Sequence, residues 1–173
     1  MEEGRQHGGW VVARALKDLG QERLFGMAGG HVMPVFDGCL TEGIPVIDTR
    51  HEQAAVHMAE GWATSTGEAA VVAVTAGPGA TNAATGIVNA QQAGAPVVVF
   101  CGSTATHLDH KGAVQQLDAT ALYSHVAKWT RYERDPSRLA SSLAEALHQA
   151  RSGRPGVSVQ GASVTCPFTS PAT

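Results

Sequence analysis

Two stretches of the chain carry residues whose types and spacing bear on chemistry. Thr49-Arg50-His51-Glu52-Gln53-Ala54-Ala55 sets a lone carboxylate near the start of a helix at a strand's end. Thr75-Ala76-Gly77-Pro78-Gly79-Ala80-Thr81-Asn82 is a tight turn between a strand and a helix. Together they have the composition of a cofactor site with half its walls elsewhere. Glu52 admits two readings. Thr49 and Glu52 fit the capping-box spacing, in which the threonine caps the helix and the glutamate reaches back to its backbone N–H; the helix dipole then favours the carboxylate, which has no further task. A functional Glu52 must instead point away from its own helix into a cleft at the strand ends, where ligands bind in open α/β sheets.

Other chemistries find no match. The glycine turn lacks the Lys-Ser/Thr pair of a P-loop, and Asn82 stands where a dinucleotide fingerprint wants glycine. About 20 residues further on, where that fingerprint wants an acid, the chain has Cys101-Gly102-Ser103. No Gly-x-Ser-x-Gly elbow is present, and no cysteine has an arguable histidine partner, so a protein nucleophile is not expected. His107 and His110 lack a third ligand and read as facing water, and on a helix Glu52 and His57 point about 140° apart. No metal ligand is expected from this chain, and the chemistry must come from a cofactor.

The elements that position these residues are legible from periodicity. Val12, Leu16 and Leu19 mark a helix over 10–20, stopped by Gly20. A short strand at Leu24-Phe25 runs through Gly26–Gly30 into a helix holding Val35, Phe36, Cys39 and Leu40, with Pro34 in its first turn. Residues 44–49 read as a strand, followed by a helix with Ala55, Met58, Ala59 and Trp62 on one face and Gly67 at its end. Residues 70–75 and 96–101 are apolar without alternation, as in parallel strands covered on both faces. Between them, 80–92 is a small-residue helix able to pack close to the sheet. A polar loop of about 13 residues, 102–114, is long enough to suggest a role. A helix over 116–124, an edge-like strand over 128–133, a helix opened by Pro136 with a Leu139, Leu143, Leu147, Ala150 stripe, and a strand at 157–159 complete the pattern. This predicts a three-layer α/β/α fold with a mostly parallel sheet of about six strands and helices on both faces. Residues 1–160 form the domain, and 161–173 read as a tail or the start of an interdomain linker.

The totals agree with one globular domain: 173 residues, 43% apolar, 16% charged. A net charge of -3 and aromatics at 5% argue against nucleic acid as partner. No apolar run approaches the ~20 residues of a membrane span, and the first residues lack a signal-peptide pattern, so no membrane role and a cytoplasmic location are expected. Cys39 and Cys101 lie in apolar company and read as buried thiols; Cys166 completes an odd count without a C-x-x-C pair.

In order along residues 5–157, the chain resembles the pyrimidine-binding N-terminal domain of thiamine diphosphate enzymes of the acetolactate synthase, benzoylformate decarboxylase and 2-hydroxyacyl-CoA lyase group. The shared segments are Phe25-Gly26…Gly29-Gly30, Arg50-His51-Glu52-Gln53-Ala54-Ala55…Met58-Ala59-Glu60-Gly61 and Thr75–Asn82. Gly112–Asp118, Lys128-Trp129 and Ser152–Gly156 continue the match. The resemblance implies that Glu52 hydrogen-bonds a ring nitrogen of the cofactor's aminopyrimidine and favours its imino form, which takes the proton from the thiazolium carbon. It implies catalytic roles for Glu52 and Gln115, with Gln115 reaching the reactive end of the cofactor. Pro78 and Asn82 match positions lining the pyrimidine, and Gly29 and Gly30 match the turn beside the substrate.

The resemblance also implies partners. Family members form their site between this domain of one subunit and a diphosphate-binding domain of another, whose Gly-Asp-Gly…Asn motif holds Mg2+; no such motif is in this sequence. The expected protein is a homodimer acting on a 2-keto acid, with the chain alone catalytically incomplete. The rival reading is a non-catalytic domain that keeps the fold for assembly or for binding a small ligand, and a nucleotide-binding module is the third. Met27-Ala28 stands where Tyr-Pro or Asn-Pro is usual, Val114 where Phe is common, and Val159-Gln160-Gly161-Ala162-Ser163 replaces the usual Val-Asp-Ile-Pro ending.

Overall fold

The uninterrupted apolar runs become the centre of a six-stranded sheet in the computed structural model, which describes residues 6–164 and 167–168. The elements run β1 (Gln6–His7), α1 (Gly8–Asp18), β2 (Leu24–Gly26), α2 (Met33–Glu42), β3 (Val46–Asp48), α3 (Glu52–Thr66), β4 (Ala70–Val74), α4 (Pro78–Asn82), α5 (Ala84–Ala93), β5 (Val97–Gly102), α6 (Ala119–Tyr123), β6 (Trp129–Glu133), α7 (Leu139–Arg151), β7 (Val157–Ala162) and β8 (Pro167–Phe168). The sheet order is β3-β2-β4-β5-β7-β6, and every pairing in it is parallel. β4, β5 and β7 are buried along their whole length; β4 and β5 accordingly show no alternation, whereas β7 buries Ser158 and Gln160 in alternation with Val157 and Val159.

Each face of the sheet carries its own core. Val98 and Phe100 pack with Leu16, Val35, Leu143 and Leu147 from α1, α2 and α7. Val97, Val99 and Cys101, on the alternate positions of the same strand, pack with Val56, Ile87 and Tyr123 from α3, α5 and α6. The architecture is the expected three-layer α/β/α, with β6 on the edge where its charged positions placed it. The four residues of the α7 stripe are all buried.

Local outcomes differ in instructive ways. Met58 is 44% exposed and does not belong to the apolar face assigned to it; α3 instead buries Ala55, Val56, Ala59 and Ala63, and Leu40 of α2 is 78% exposed. The small-residue helix is divided at Ala83 into α4 and α5. Its smallness serves another helix as much as the sheet: a Cβ built on Gly86 would lie 2.7 Å from Val56 Cβ of α3. The last parallel strand runs to Ala162, and Pro167–Phe168, in the segment read as linker, pairs antiparallel with Gln6–His7. Extended backbone beside an unpaired partner strand suffices for that pairing, whatever the composition. Cys39 and Cys101 are buried free thiols, and burial raises them to about 11 and about 12; Cys166 lies outside the described residues. Among the described residues no helix is long and apolar enough to cross a membrane.

Strand order fixes where a ligand cleft belongs. The chain passes from β2 to β3 on one side and returns to place β4 on the other, so the crevice opens beyond the C-terminal ends of β2 and β4. The connections that follow β2, β3, β4 and β5, loops together with the start of α3 and with α4, carry every candidate residue.

Candidate active site

His51 decides what Glu52 does. Its backbone is extended (φ -160°, ψ 139°), and its Nδ1 accepts from Gln53 N–H at 3.2 Å, which makes His51 the cap of α3 and Glu52 the first helical residue. Thr49 is engaged elsewhere, donating from Oγ1 to Gly26 O at 3.2 Å and His51 O at 3.1 Å. The capping-box reading therefore fails. The spacing was right, but the cap sits two residues later and needs no carboxylate.

The Glu52 side chain turns instead toward the glycine turn after β4. Only 6% exposed, it accepts at Oε2 from Asn82 Nδ2 at 3.0 Å and makes no other hydrogen bond among the described residues. It also lies at the positive end of a 15-residue helix, an electrostatically favourable place for a carboxylate. Gly79 leaves space beside it: a Cβ there would come within 3.3 Å of Glu52 Oε1 and 2.8 Å of Thr75 Cγ2.

Gly77 is the position where only glycine serves. Its φ of 59° with ψ of -106° is outside the reach of L side chains, and a Cβ would meet Gln115 O at 2.8 Å. Pro78, fixed at a compatible φ, then opens α4 and remains exposed, as does Asn82. The turn is thus held between two walls: Gly77 backs onto the Gln115 backbone and Gly79 onto the Glu52 carboxylate. Gln115 has a φ of 64°, uncommon without glycine, and an exposed side chain.

Gly29 and Gly30 behave differently from each other. A Cβ on Gly29 would fall 2.5 Å from Thr75 Cβ, so the turn after β2 sits directly on the start of the turn after β4. The His31 N–H donates to Thr75 Oγ1 at 3.4 Å across the same junction. Gly30 has open space around it. The structure brings Glu52, Gly79, Asn82 and the Gln115 backbone around one turn; Gly29 and Gly30 reach that turn through Thr75, without touching Glu52.

Three contributors were not singled out in the sequence. Thr75 links the two glycine turns, and His51 caps α3. Tyr123, buried on α6, donates its hydroxyl to Ala80 O and so ties α6 to α4; burial pushes its phenol well above the usual range. The His51-Glu52 order next to a strand end was the one available signal for the cap. Nothing local distinguished Tyr123. Among the described residues no three His, Cys, Asp or Glu side chains converge as a metal would require.

Comparison with known proteins places this arrangement among relatives. Residues 6–122 match the family described as thiamine pyrophosphate enzyme, N-terminal TPP binding domain. The chain is 42% identical over 151 residues to 2-hydroxyacyl-CoA lyase 2 of Bos taurus, covering 87% of this chain and 24% of that protein. It is 41% identical over 150 residues to the acetolactate synthase large subunit of Lactococcus lactis subsp. lactis, covering 86% and 26%. With the acetolactate synthase isozyme 3 large subunit of Escherichia coli the identity is 43% over 150 residues, with the same coverage of 86% and 26%. The chain spans about a quarter of the length of the curated relatives it matches.

Proposed function

Because the chain belongs to the family of N-terminal TPP-binding domains of thiamine pyrophosphate enzymes, we propose that it supplies the pyrimidine half of the cofactor site in a 2-keto acid decarboxylase or carboligase of the acetolactate synthase kind. The observation that carries the reading is Glu52: a buried carboxylate, released from capping by His51, with one oxygen held by Asn82 and the other without a hydrogen bond. An aminopyrimidine offers the ring nitrogen and amino group that such an oxygen accepts from or shares a proton with, and the missing side chain at Gly79 leaves room for it.

Bound thiamine diphosphate supplies the carbon nucleophile and electron sink that protein side chains lack. The residues of this chain do the rest of the work on its side. Glu52 holds a proton at the pyrimidine ring nitrogen, and Asn82 fixes the carboxylate orientation. Pro78 and Asn82, both exposed at the turn, line the ring; Gln115 serves the reacting end, and Gly29 and Gly30 border the substrate. Mg2+ and the diphosphate belong to a diphosphate-binding domain or subunit, so the chain by itself is catalytically incomplete, and it works as a homodimer.

The test is turnover of pyruvate and benzoylformate with thiamine diphosphate and Mg2+, by the chain alone and mixed with a companion carrying the Gly-Asp-Gly…Asn motif. Turnover in the mixture alone, reduced about a hundredfold or more by Glu52→Gln, is the expected result. Equal turnover by the mutant overturns the role of Glu52. Silence of every mixture with the fold intact favours the non-catalytic assembly domain.

A further inference from the structure

The loop over residues 103–118 and the turn after β2 enclose a cleft of about 540 Å3 that is separate from the Glu52 side of the site. Gly30 and His31 form one wall, and Thr104, Lys111 and Val114 contribute the other. Four features of this cleft point to one kind of occupant. Its lining contains no carboxylate. Lys111 makes no ion pair among the described residues, and Asp109, two residues before it, pairs with Arg134. Thr104 is 3% exposed, yet its hydroxyl has no hydrogen-bond partner among the described residues, so a bond to a ligand would displace none. The remaining surface, Ala105, Leu108 and Val114, is apolar and suits a short hydrocarbon segment.

The cleft also has a direction. Gln115, whose backbone lies against Gly77, follows Val114 of the cleft wall, and Lys111 lines the cleft, to which neither Pro78 nor Asn82 contributes. A substrate that reacts beside Gln115 and runs along the Val114 wall enters the cleft that Lys111 lines. We propose that this cleft selects a 2-keto acid bearing a second anionic group beyond the reacting carbon, paired with the Lys111 ammonium and accepting a hydrogen bond from the Thr104 hydroxyl. The assignment rests on the functional reading above.

The test compares two acids of equal chain length on the isotopically labelled chain at fixed ionic strength: 2-oxoglutarate, and 2-oxopentanoate, which lacks the second carboxylate. Amide resonances of Gly30, His31, Thr104 and Val114 are expected to shift saturably with 2-oxoglutarate, with a Kd about fivefold below that of 2-oxopentanoate, the scale of one solvent-screened ion pair. Lys111→Met removes the difference, and Thr104→Val weakens 2-oxoglutarate alone. Equal affinity for the two acids, a difference that survives Lys111→Met, or no saturable shift at these amides overturns the proposal. Thiamine diphosphate titrated into the same sample reads Gly79 and Asn82 instead. Silence there in the presence of the companion carrying the diphosphate motif and Mg2+, with the 2-oxoglutarate response intact, condemns the cofactor reading and leaves an anion-binding cleft; the reverse pattern condemns only the cleft.

Discussion

Glu52 Oε2 accepts from Asn82 Nδ2 at 3.0 Å, joining the first residue of α3 to the last residue of α4. The bond spans two elements that the sequence separates by 30 residues. Asn82→Ala leaves a buried carboxylate without its donor and is expected to cost about 1–2 kcal/mol in urea unfolding. Glu52→Gln keeps an oxygen for Asn82 and should stay within about 0.5 kcal/mol of the parent protein while abolishing turnover in the complemented enzyme. A Glu52→Gln protein that is destabilised as much as Asn82→Ala would mean the carboxylate is there for the fold.

Gly77 and Gln115 pack so closely that the pair leaves no room for a Cβ on Gly77. Gly77→Ala puts a Cβ in a forbidden backbone region and 2.8 Å from Gln115 O, so a loss of about 2–4 kcal/mol is expected from denaturation curves. Gln115 sits at a positive φ of 64°, which costs a non-glycine residue about 1 kcal/mol. Gln115→Gly relieves that strain but frees the unfolded chain, and the two effects leave stability within about 1 kcal/mol of the starting value. Turnover of the complemented enzyme should nevertheless fall at least about tenfold, because the exposed side chain is what the strain holds in place. Undiminished turnover would remove Gln115 from the site.

Much of this was legible because parallel strands covered on both faces have a simple sequence signature. Ala70–Val74 and Val97–Gly102 announced themselves, and the Leu139, Leu143, Leu147, Ala150 stripe of α7 gave its buried face directly. The failures share a cause. Met58 fits a helical stripe by spacing, but alanines lie both at the stripe and beside it, and periodicity cannot orient a helix whose core face is made of small residues. At Glu52 the capping box and the ligand-facing carboxylate have identical local sequences. What separates them is that Thr49 Oγ1 bonds Gly26 O, 23 residues earlier, a partner no window around Glu52 contains. Tyr123 escapes notice for the same reason, since its hydroxyl bonds Ala80 O.

The close approach of α5 to α3 predicts a coupled pair. Gly86→Ala drives a methyl to 2.7 Å from Val56 Cβ and is expected to cost about 1–3 kcal/mol through overpacking. Val56→Ala alone leaves a cavity and costs a further loss of about 1–2 kcal/mol. In the double mutant the contact with Val56 Cγ1 at 3.1 Å is gone while the Cβ contact at 2.7 Å stays, so relief is partial and the combined loss should be smaller than the sum by about 0.5 kcal/mol. Additive losses would show that the helices move apart on substitution and do not depend on this contact.

Asp118 links solution pH to the turn that carries the site. Burial alone would raise its carboxyl, but hydrogen bonds from the Thr120 hydroxyl and from the Ala121 and Thr120 backbone N–H groups, with the Arg134 charge, bring it below the ordinary value of 3.8. A carboxyl depressed in the folded state contributes stability that is present above its unfolded pKa and lost as pH falls through the folded one. As cap of α6, Asp118 is worth about 1 kcal/mol at neutral pH. Asp118→Ala should therefore be about that much less stable at pH 7, with the difference fading once the pH drops below the usual carboxylate range. Asp118→Asn still caps the helix and should lose little at neutral pH while removing the acid-side dependence. Because α6 carries Tyr123, and Tyr123 donates to Ala80 O, loosening this cap reaches α4. Faster amide exchange in Thr81 and Asn82 of Asp118→Ala, reproduced by Tyr123→Phe, is the signature of that route; exchange changes confined to residues 119–123 would show that α6 frays without disturbing the Glu52 partner.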